Sequence, residues 1–163
     1  IQKLINMIDS RIKIKNFSYK NILKFRNQLI YNSNNLKVYN DSKCTNLNNA
    51  IYKNNLINSS RKILILGGKL KKQHINSKFK VANTLVLIFG YQHNLFYNHL
   101  NFVNSNFFKF NNLVMLTDFL KLILKSHKYD HILFSPGGES YDVYDDYLDR
   151  GKHFNQLIKK VLF

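Results

Sequence analysis

Three short apolar runs in this chain each stop at glycine. Residues 62–66 precede Gly67 and Gly68, residues 81–89 precede Gly90, and residues 132–134 precede Ser-Pro-Gly-Gly. Glycine permits backbone angles that other residues avoid, and proline has no N–H group to donate to a sheet. The pattern therefore predicts three buried strands, each ending where its glycine or proline begins.

Helical patterns alternate with these strands. Apolar residues recur every three or four positions in 47–56 and from Tyr147 to the C-terminus, and we also expect helices at 94–102 and 117–125. A further strand is predicted within residues 107–116, centred on 113–116, with Thr117 as a helix cap. Strands and helices that alternate at this spacing predict an α/β fold, with a parallel or mostly parallel sheet covered by helices on both faces.

The N-terminal part follows a different pattern. Residues 1–29 contain no Gly and no Pro, and their apolar spacing predicts two short helices. A polar turn at 32–35 and a short extended stretch at 36–39 come next. We therefore divide the chain into residues 1–30, as the helical tail of a preceding domain, and residues 31–163, as the main domain.

The chain carries a formal charge of +16, which invites a nucleic-acid interpretation. However, Lys, Asn, Ile, Tyr and Phe are abundant together and Trp is absent, as expected from an AT-rich coding sequence. The lysines are also spread along the chain. We therefore expect no nucleic-acid partner, and the nucleic-acid binder stands only as a third hypothesis, which predicts steeply salt-dependent binding.

The composition also limits the compartment and the metal chemistry. A single cysteine, Cys44, excludes an internal disulfide and a cysteine-based zinc site, and it favours a reducing compartment. No apolar run approaches the ~18 residues that a membrane span needs, and no signal-peptide pattern is present. The six histidines show no metal-ligand spacing. We predict a cytoplasmic monomer without a membrane partner or a metal site of its own.

Three blocks of the sequence combine strand ends with polar residues. Residues 131–154, which include the last of these blocks, hold five of the nine acidic residues of the chain. These acids cluster near the start of the last predicted helix, where helix capping explains many of them. A loop between a strand and a helix is where α/β sheets bind ligands. The blocks are Asn40-Asp41-Ser42-Lys43-Cys44-Thr45-Asn46, then Ile63-Leu64-Ile65-Leu66-Gly67-Gly68 with Lys71, then Leu133-Phe134-Ser135-Pro136-Gly137-Gly138-Glu139-Ser140-Tyr141-Asp142 with Tyr147-Leu148-Asp149-Arg150-Gly151 and Phe154.

In this order and spacing, the blocks resemble the C-terminal part of the Mur ligases, in the branch that adds D-glutamate to UDP-N-acetylmuramoyl-L-alanine. The resemblance implies a Rossmann-like C-terminal domain that brings the amino acid and closes over ATP in an ATP-dependent amide ligase of peptidoglycan precursor synthesis, and hence of cell-wall biogenesis, cell shape and division. It also implies that ATP and magnesium are bound mainly by a central domain, of which residues 1–30 would be the last helical remnant.

The resemblance assigns residues to four groups. It places no catalytic residue in this portion of the ligase. The residues assigned to D-glutamate binding are Thr45, Lys71, Ser140 and Tyr147, those on the nucleotide-facing hinge are Asp41 and Lys43, and those that shape the loop are Pro136, Gly137, Gly138, Asp142 and Arg150.

The sequence departs from the family pattern at two places. Asn27-Gln28 stands where the family has a His-Arg pair that helps to hold the nucleotide, and Gly137-Gly138-Glu139 stands where it has Ala-Cys-Ala. Glu139 puts a new carboxylate beside a predicted carboxylate site. An alternative hypothesis is that the chain is a non-catalytic binding module or a degenerate remnant that lacks the ATPase domain.

Overall fold

The computed structural model describes residues 24–33, 35–71, 78–126 and 128–163. The elements are β1 (Gln28–Asn32), β2 (Lys37–Asn40), α1 (Leu47–Leu56), β3 (Lys62–Gly67), β4 (Phe79–Ala82), β5 (Thr84–Phe89), α2 (His93–Asn98), β6 (Leu100–Val103), β7 (Asn106–Phe110), α3 (Leu113–Ser126), β8 (His131–Gly137) and α4 (Tyr147–Leu162). Six of the strands form one sheet in the order β1-β2-β8-β3-β5-β7, in which only the β1–β2 pair is antiparallel. Strands β4 and β6 form a separate two-stranded parallel sheet.

The large sheet is buried on both faces. Alternate side chains of β3 point to opposite sides, so Ile63 and Ile65 pack in the cluster that contains α3 and α4, while Leu64 and Leu66 pack in the cluster that contains α1 and α2. This arrangement explains why β3 is apolar along almost its whole length. The predicted α/β class, with a mostly parallel sheet and helices on both faces, is confirmed, and it is consistent with a Rossmann-like domain.

Strand β8 continues past the proline that was expected to end it. We predicted an end at Phe134, but the strand runs to Gly137. The parallel pairing with β3 shifts register between Ile65 and Gly67, where one residue of β3, Leu66, lies opposite two of β8, Ser135 and Pro136. Pro136 lies in this irregular stretch, where the missing N–H group does not interrupt a regular ladder.

The strand predicted within residues 107–116 is present, but its predicted centre at 113–116 is wrong, because these residues form the first turn of α3. Leu113 and Leu116 are buried, whereas the two residues between them are exposed, which is helical rather than alternating spacing. Asn112 begins the helix by accepting the Met115 N–H at 2.9 Å, and Thr117 lies inside the helix and donates to the Val114 carbonyl. The strand of this region is the preceding β7.

The predicted strand at 81–89 is two strands. Asn83, with a positive φ of 49°, separates β4 from β5. Strand β4 leaves the large sheet and pairs with β6, so residues 100–103 are a strand and the helix predicted at 94–102 is restricted to α2. The sequence pattern missed this small sheet because both of its strands are only four residues long.

The N-terminal hairpin changes the prediction for the first thirty residues. Gln28 and Leu29, predicted as helical, belong to β1, which pairs with β2. The rest of the predicted helical tail, over residues 1–23, lies outside the described residues, and so do His74 and His127, so the domain boundary at 30/31 stays a prediction. Within the described ranges, no helix has the length and apolar content needed to cross a bilayer.

Candidate functional site

The three sequence blocks meet at one edge of the large sheet. Strands β2, β8 and β3 are parallel neighbours, so their carboxyl ends, at Asn40, Gly137 and Gly67, lie at the same edge. The ends of these strands and the loops that follow them contain all the residues predicted to bind D-glutamate or to shape its site, apart from those at the start of α4. This edge is where open α/β sheets bind ligands.

Arg150 of α4 connects two of these loops. Its side chain is fully buried, and its guanidinium donates from Nε to the Ser42 hydroxyl at 3.2 Å, from Nη2 to the Ser42 carbonyl at 2.8 Å, and from Nη1 to the Gly138 carbonyl at 3.0 Å. Burial lowers the pKa of Arg150 to about 10, which leaves it protonated at neutral pH. Arg150 therefore fixes the loop after β2 against the loop after β8.

The glycines of these loops allow close contact between them. Gly137 has a φ of 71°, and its N–H donates to the Cys44 carbonyl at 3.0 Å. Gly68 has a φ of 92°, and a Cβ there would collide with the Glu139 carbonyl and with Nη1 of Arg150. Larger residues at these positions would force the loops apart.

Asp41 is buried and saturated with hydrogen bonds. One carboxylate oxygen accepts the Asn27 N–H at 2.9 Å, and the other accepts the Ser135 hydroxyl at 2.9 Å and lies 2.6 Å from Nζ of Lys53. Asp41 was assigned to the nucleotide-facing hinge. In this structure its carboxylate holds the hairpin, β8 and α1 together.

Lys43 and Tyr147 lie against each other at the start of α4. Nζ of Lys43 is 3.8 Å from the centre of the Tyr147 ring, a cation–π contact. The Ser42 hydroxyl donates to the Tyr147 carbonyl at 2.8 Å. Tyr147, which was predicted to contribute to D-glutamate binding, therefore lies beside Lys43, which was predicted on the nucleotide-facing hinge.

Lys71 lies at the exposed rim of the same edge. Its Nζ is 3.8 Å from a carboxylate oxygen of Glu139, and both side chains are about a third exposed. The loops that carry them are joined by two main-chain hydrogen bonds between Lys69 and Glu139, of 2.8 and 2.7 Å. The Gln92 side chain also accepts the Leu70 N–H at 2.8 Å.

Thr45 and Ser140 supply the two predicted hydroxyls. Thr45 is half-buried and precedes Asn46, whose side chain caps α1 by accepting the Asn49 N–H. Ser140 is buried at the turn after Glu139, where its carbonyl accepts the N–H groups of residues 143 and 144. In the first block, Asn46 caps the helix, while Asp41 and Ser42 bond to residues of other elements.

Asp142 lies beside the glycine turn that follows β5. Its Oδ2 is 3.5 Å from where a Cβ of Gly90 would be. Burial raises the pKa of the Asp142 carboxyl group, while main-chain N–H groups and the charge of Arg150 partly offset the rise. The helix cap of α4 is instead Asp146, which accepts the Asp149 N–H at 2.7 Å.

Sequence reasoning missed three residues that hold this edge. Ser42 receives two bonds from Arg150, Ser135 donates to Asp41, and Gln92 holds the loop after β3. Their position in the sequence could have identified them, because each is a polar residue within two or three residues of a strand end. Their partners are 22 to 108 positions away in the chain, which the sequence alone does not reveal.

Neither cavity size nor metal-ligand clustering marks this edge. A cavity of about 860 Å³ lies at the opposite edge of the sheet, between the end of α1 and the residues before β3, β5 and β8. In the described portion of the chain, no group of three His, Cys, Asp or Glu side chains is placed to hold a metal ion. The bonded loops, rather than a deep cavity, define the candidate site.

Relatives of known name match this chain over most of its length, although no family model matches it. A protein of Prochlorococcus marinus is 32% identical over 97% of the chain, one of Petrotoga mobilis is 33% identical over 85%, and one of Hydrogenobaculum sp. is 31% identical over 90%. All three are named UDP-N-acetylmuramoylalanine-D-glutamate ligase. The matched regions are 34%, 32% and 35% of the three relatives, so the chain spans about a third of their length.

The partial match is consistent with the C-terminal portion that the sequence blocks indicate. The resemblance of this chain to the Mur ligases is confirmed by these relatives, which match 85–97% of its length.

Proposed function

We propose that this chain is the amino-acid-binding portion of an ATP-dependent ligase that adds D-glutamate to UDP-N-acetylmuramoyl-L-alanine in peptidoglycan precursor synthesis. The observation that carries the proposal is the meeting of the three blocks at the carboxyl edge of β2, β8 and β3, with Lys71 at the rim. The names of the relatives agree with a ligase and do not favour a non-catalytic module or a remnant.

The chemistry of this edge suits a small dicarboxylate. In the proposal, Lys71 binds one carboxylate of D-glutamate, because a lysine ammonium forms charge-assisted hydrogen bonds with carboxylates. Thr45 and Ser140 contribute hydroxyl donors, and the Tyr147 ring forms a wall. The Arg150 bonds keep the loops in place before the ligand arrives, which lowers the entropic cost of binding.

ATP and magnesium belong to the proposal as ligands of another portion of the ligase, where they would supply the phosphoryl chemistry that activates the UDP-linked carboxylate. Lys43 fits a contact with a phosphate, because the residue is half-buried and its ammonium lies beside the Tyr147 ring. Asp41 does not fit direct magnesium binding, because its buried carboxylate is already bonded to three groups. We propose the cytoplasm as the compartment and a monomer as the working state, and the buried free thiol of Cys44 suits a reducing compartment.

Titration of the 163-residue chain with D-glutamate tests the binding role. We expect NMR amide shifts in residues 67–71 and 137–140, and we expect Lys71→Ala to weaken binding at least tenfold, since a charge-assisted bond contributes about 1.5–3 kcal/mol. Lys121→Ala, an exposed lysine of α3, is the matched control and should bind like the wild type. Equal binding by wild type and Lys71→Ala would refute the site assignment.

A chimera tests the ligase role. This chain replaces the matching region of the Petrotoga mobilis relative, and ligation is followed by the release of phosphate. We expect activity, with Lys71→Ala raising the KM for D-glutamate far more than that for ATP. Equal increases in both KM values would contradict an amino-acid-specific role for Lys71.

A further inference from the structure

Glu139 forms an ion pair with the Lys71 ammonium, the group on which the proposed D-glutamate binding depends. Lys71 is the cation assigned to a substrate carboxylate, yet a carboxylate of the chain itself already lies 3.8 Å from its ammonium. Both side chains are about a third exposed, so water screens the attraction and the pair is weak. A ligand carboxylate can therefore displace Glu139, but it must compete with it.

The main chain keeps Glu139 near Lys71. Lys69 and Glu139 exchange two short hydrogen bonds, and Arg150 holds the neighbouring Gly138 carbonyl at 3.0 Å. The loop after β8 is thereby fixed against the loop after β3. The Glu139 side chain can rotate, but its backbone does not leave, so its charge stays close to any ligand bound at Lys71.

This fixed charge has two effects on an anionic ligand. Glu139 satisfies the Lys71 ammonium before the ligand arrives, which reduces the gain from a new ion pair. Once the ligand is bound, the two carboxylates repel each other across a short distance, and this repulsion is partly screened by salt. Both effects act in the same direction and weaken binding.

We propose that Glu139 is an affinity-determining residue that competes internally with the substrate carboxylate for Lys71. This inference rests on the proposed function of the site. Removing the charge of Glu139 frees Lys71 and should tighten the binding of D-glutamate. Most of the gain should depend on Lys71, because without its ammonium only the repulsion between the two carboxylates is left to remove.

The test is a double-mutant cycle on the 163-residue chain, with D-glutamate titrations followed by NMR. Glu139→Gln should lower the Kd about two- to fivefold at low ionic strength, in line with exposed ion pairs, and the gain should shrink at physiological salt. Asp145→Asn makes the same charge change at an exposed acid of the same segment and should leave the Kd unchanged. In a Lys71→Ala background, Glu139→Gln should give a smaller gain, because only the direct repulsion between the two carboxylates is left to remove.

The outcomes separate this inference from the proposed function. Binding that needs Lys71 but is unchanged or weakened in Glu139→Gln overturns the competition and leaves the D-glutamate site standing. An equal gain in Glu139→Gln and Asp145→Asn also overturns it, because the effect would be one of overall charge. Absence of D-glutamate binding in every variant overturns both the site and the inference.

Discussion

The two edges of the central sheet both bury charged groups, but they use them differently. At the carboxyl edge, Arg150 bonds to Ser42, 108 positions away, and to Gly138, 12 positions away, and Asp41 bonds to Ser135, 94 positions away. At the amino edge, buried Lys62 donates to the carbonyls of Asn54 and Ile57, only eight and five positions away, and so closes the end of α1. The carboxyl edge therefore assembles a surface from distant segments, whereas Lys62 completes one helix.

The difference between the two edges predicts which substitutions affect ligand binding and which affect only stability. The amino edge has the 860 Å³ cavity but none of the three sequence blocks, and the carboxyl edge has the blocks. We therefore expect substitutions at the carboxyl edge to change both stability and D-glutamate binding. Substitutions at the amino edge should change stability alone.

The largest effect is expected from Arg150→Met. The substitution leaves the Gly138 carbonyl and both Ser42 acceptors without their donor in a buried site, which should lower the free energy of unfolding by about 3 kcal/mol. Urea denaturation measures this change, and D-glutamate titration should show weaker binding. Arg150→Lys keeps the positive charge but cannot place three N–H donors as the planar guanidinium does, so it should recover only part of the lost stability. A loss below 1 kcal/mol in Arg150→Met would show that the edge does not depend on this network.

Asp41→Asn should have the next largest effect. The amide replaces an oxygen that accepts from Ser135 and Lys53, which should cost about 2 kcal/mol of unfolding free energy. Lys53→Met is the matched control and should cost less, because the Lys53 side chain is 38% exposed and water already solvates it. Equal losses in the two variants would indicate that the ion pair, rather than the buried carboxylate network, stabilises this edge.

The strands that were predicted correctly are those that are buried on both faces of the sheet. Strand β3 lies between two buried layers, so its apolar run and its terminal glycines were sufficient evidence. The predictions failed where a residue's role depends on a distant partner. Strand β4 leaves the large sheet only because β6 is there to pair with it, and Pro136 remains within β8 only because the register of β3 shifts beside it.

The same reason limits what could be predicted of the site. The grouping of Thr45, Lys71 and Ser140 came from the family resemblance, and their loops follow parallel strands that end at one edge of the sheet. The bonds of Ser42 to Arg150, 108 positions away, could not be predicted, because nothing local to Ser42 distinguishes it from a helix cap. Glu139 could be identified as a departure from the family pattern, but its distance from Lys71 required the structure.

Lys62→Met tests the amino edge. Two carbonyls at the end of α1 lose their donor, while the cost of burying an ammonium disappears, so the net loss should be about 1 kcal/mol at pH 7. Burial lowers the pKa of Lys62. Between this lowered pKa and the ordinary value of 10.5, the unfolded chain binds more protons, so wild-type stability should gain from Lys62 as pH rises. That gain should vanish in Lys62→Met, with D-glutamate binding unchanged, and weaker binding would contradict the separation of the two edges.

The smallest effect is expected from Asp130→Asn, also at the amino edge. Burial raises the pKa of Asp130, but hydrogen bonds from Ser59 and His131 and the charge of Arg61 outweigh it and leave the pKa below its usual value. A carboxyl group with a lowered pKa stabilises the fold above its unfolded pKa, and the contribution is lost as pH falls through the folded pKa. Asp130→Asn should therefore cost about 0.5 kcal/mol at pH 7 and nothing at pH 2, as measured by urea denaturation. Asp118→Asn, an exposed acid of α3, is the control, and an equal pH-dependent loss there would assign the effect to overall charge.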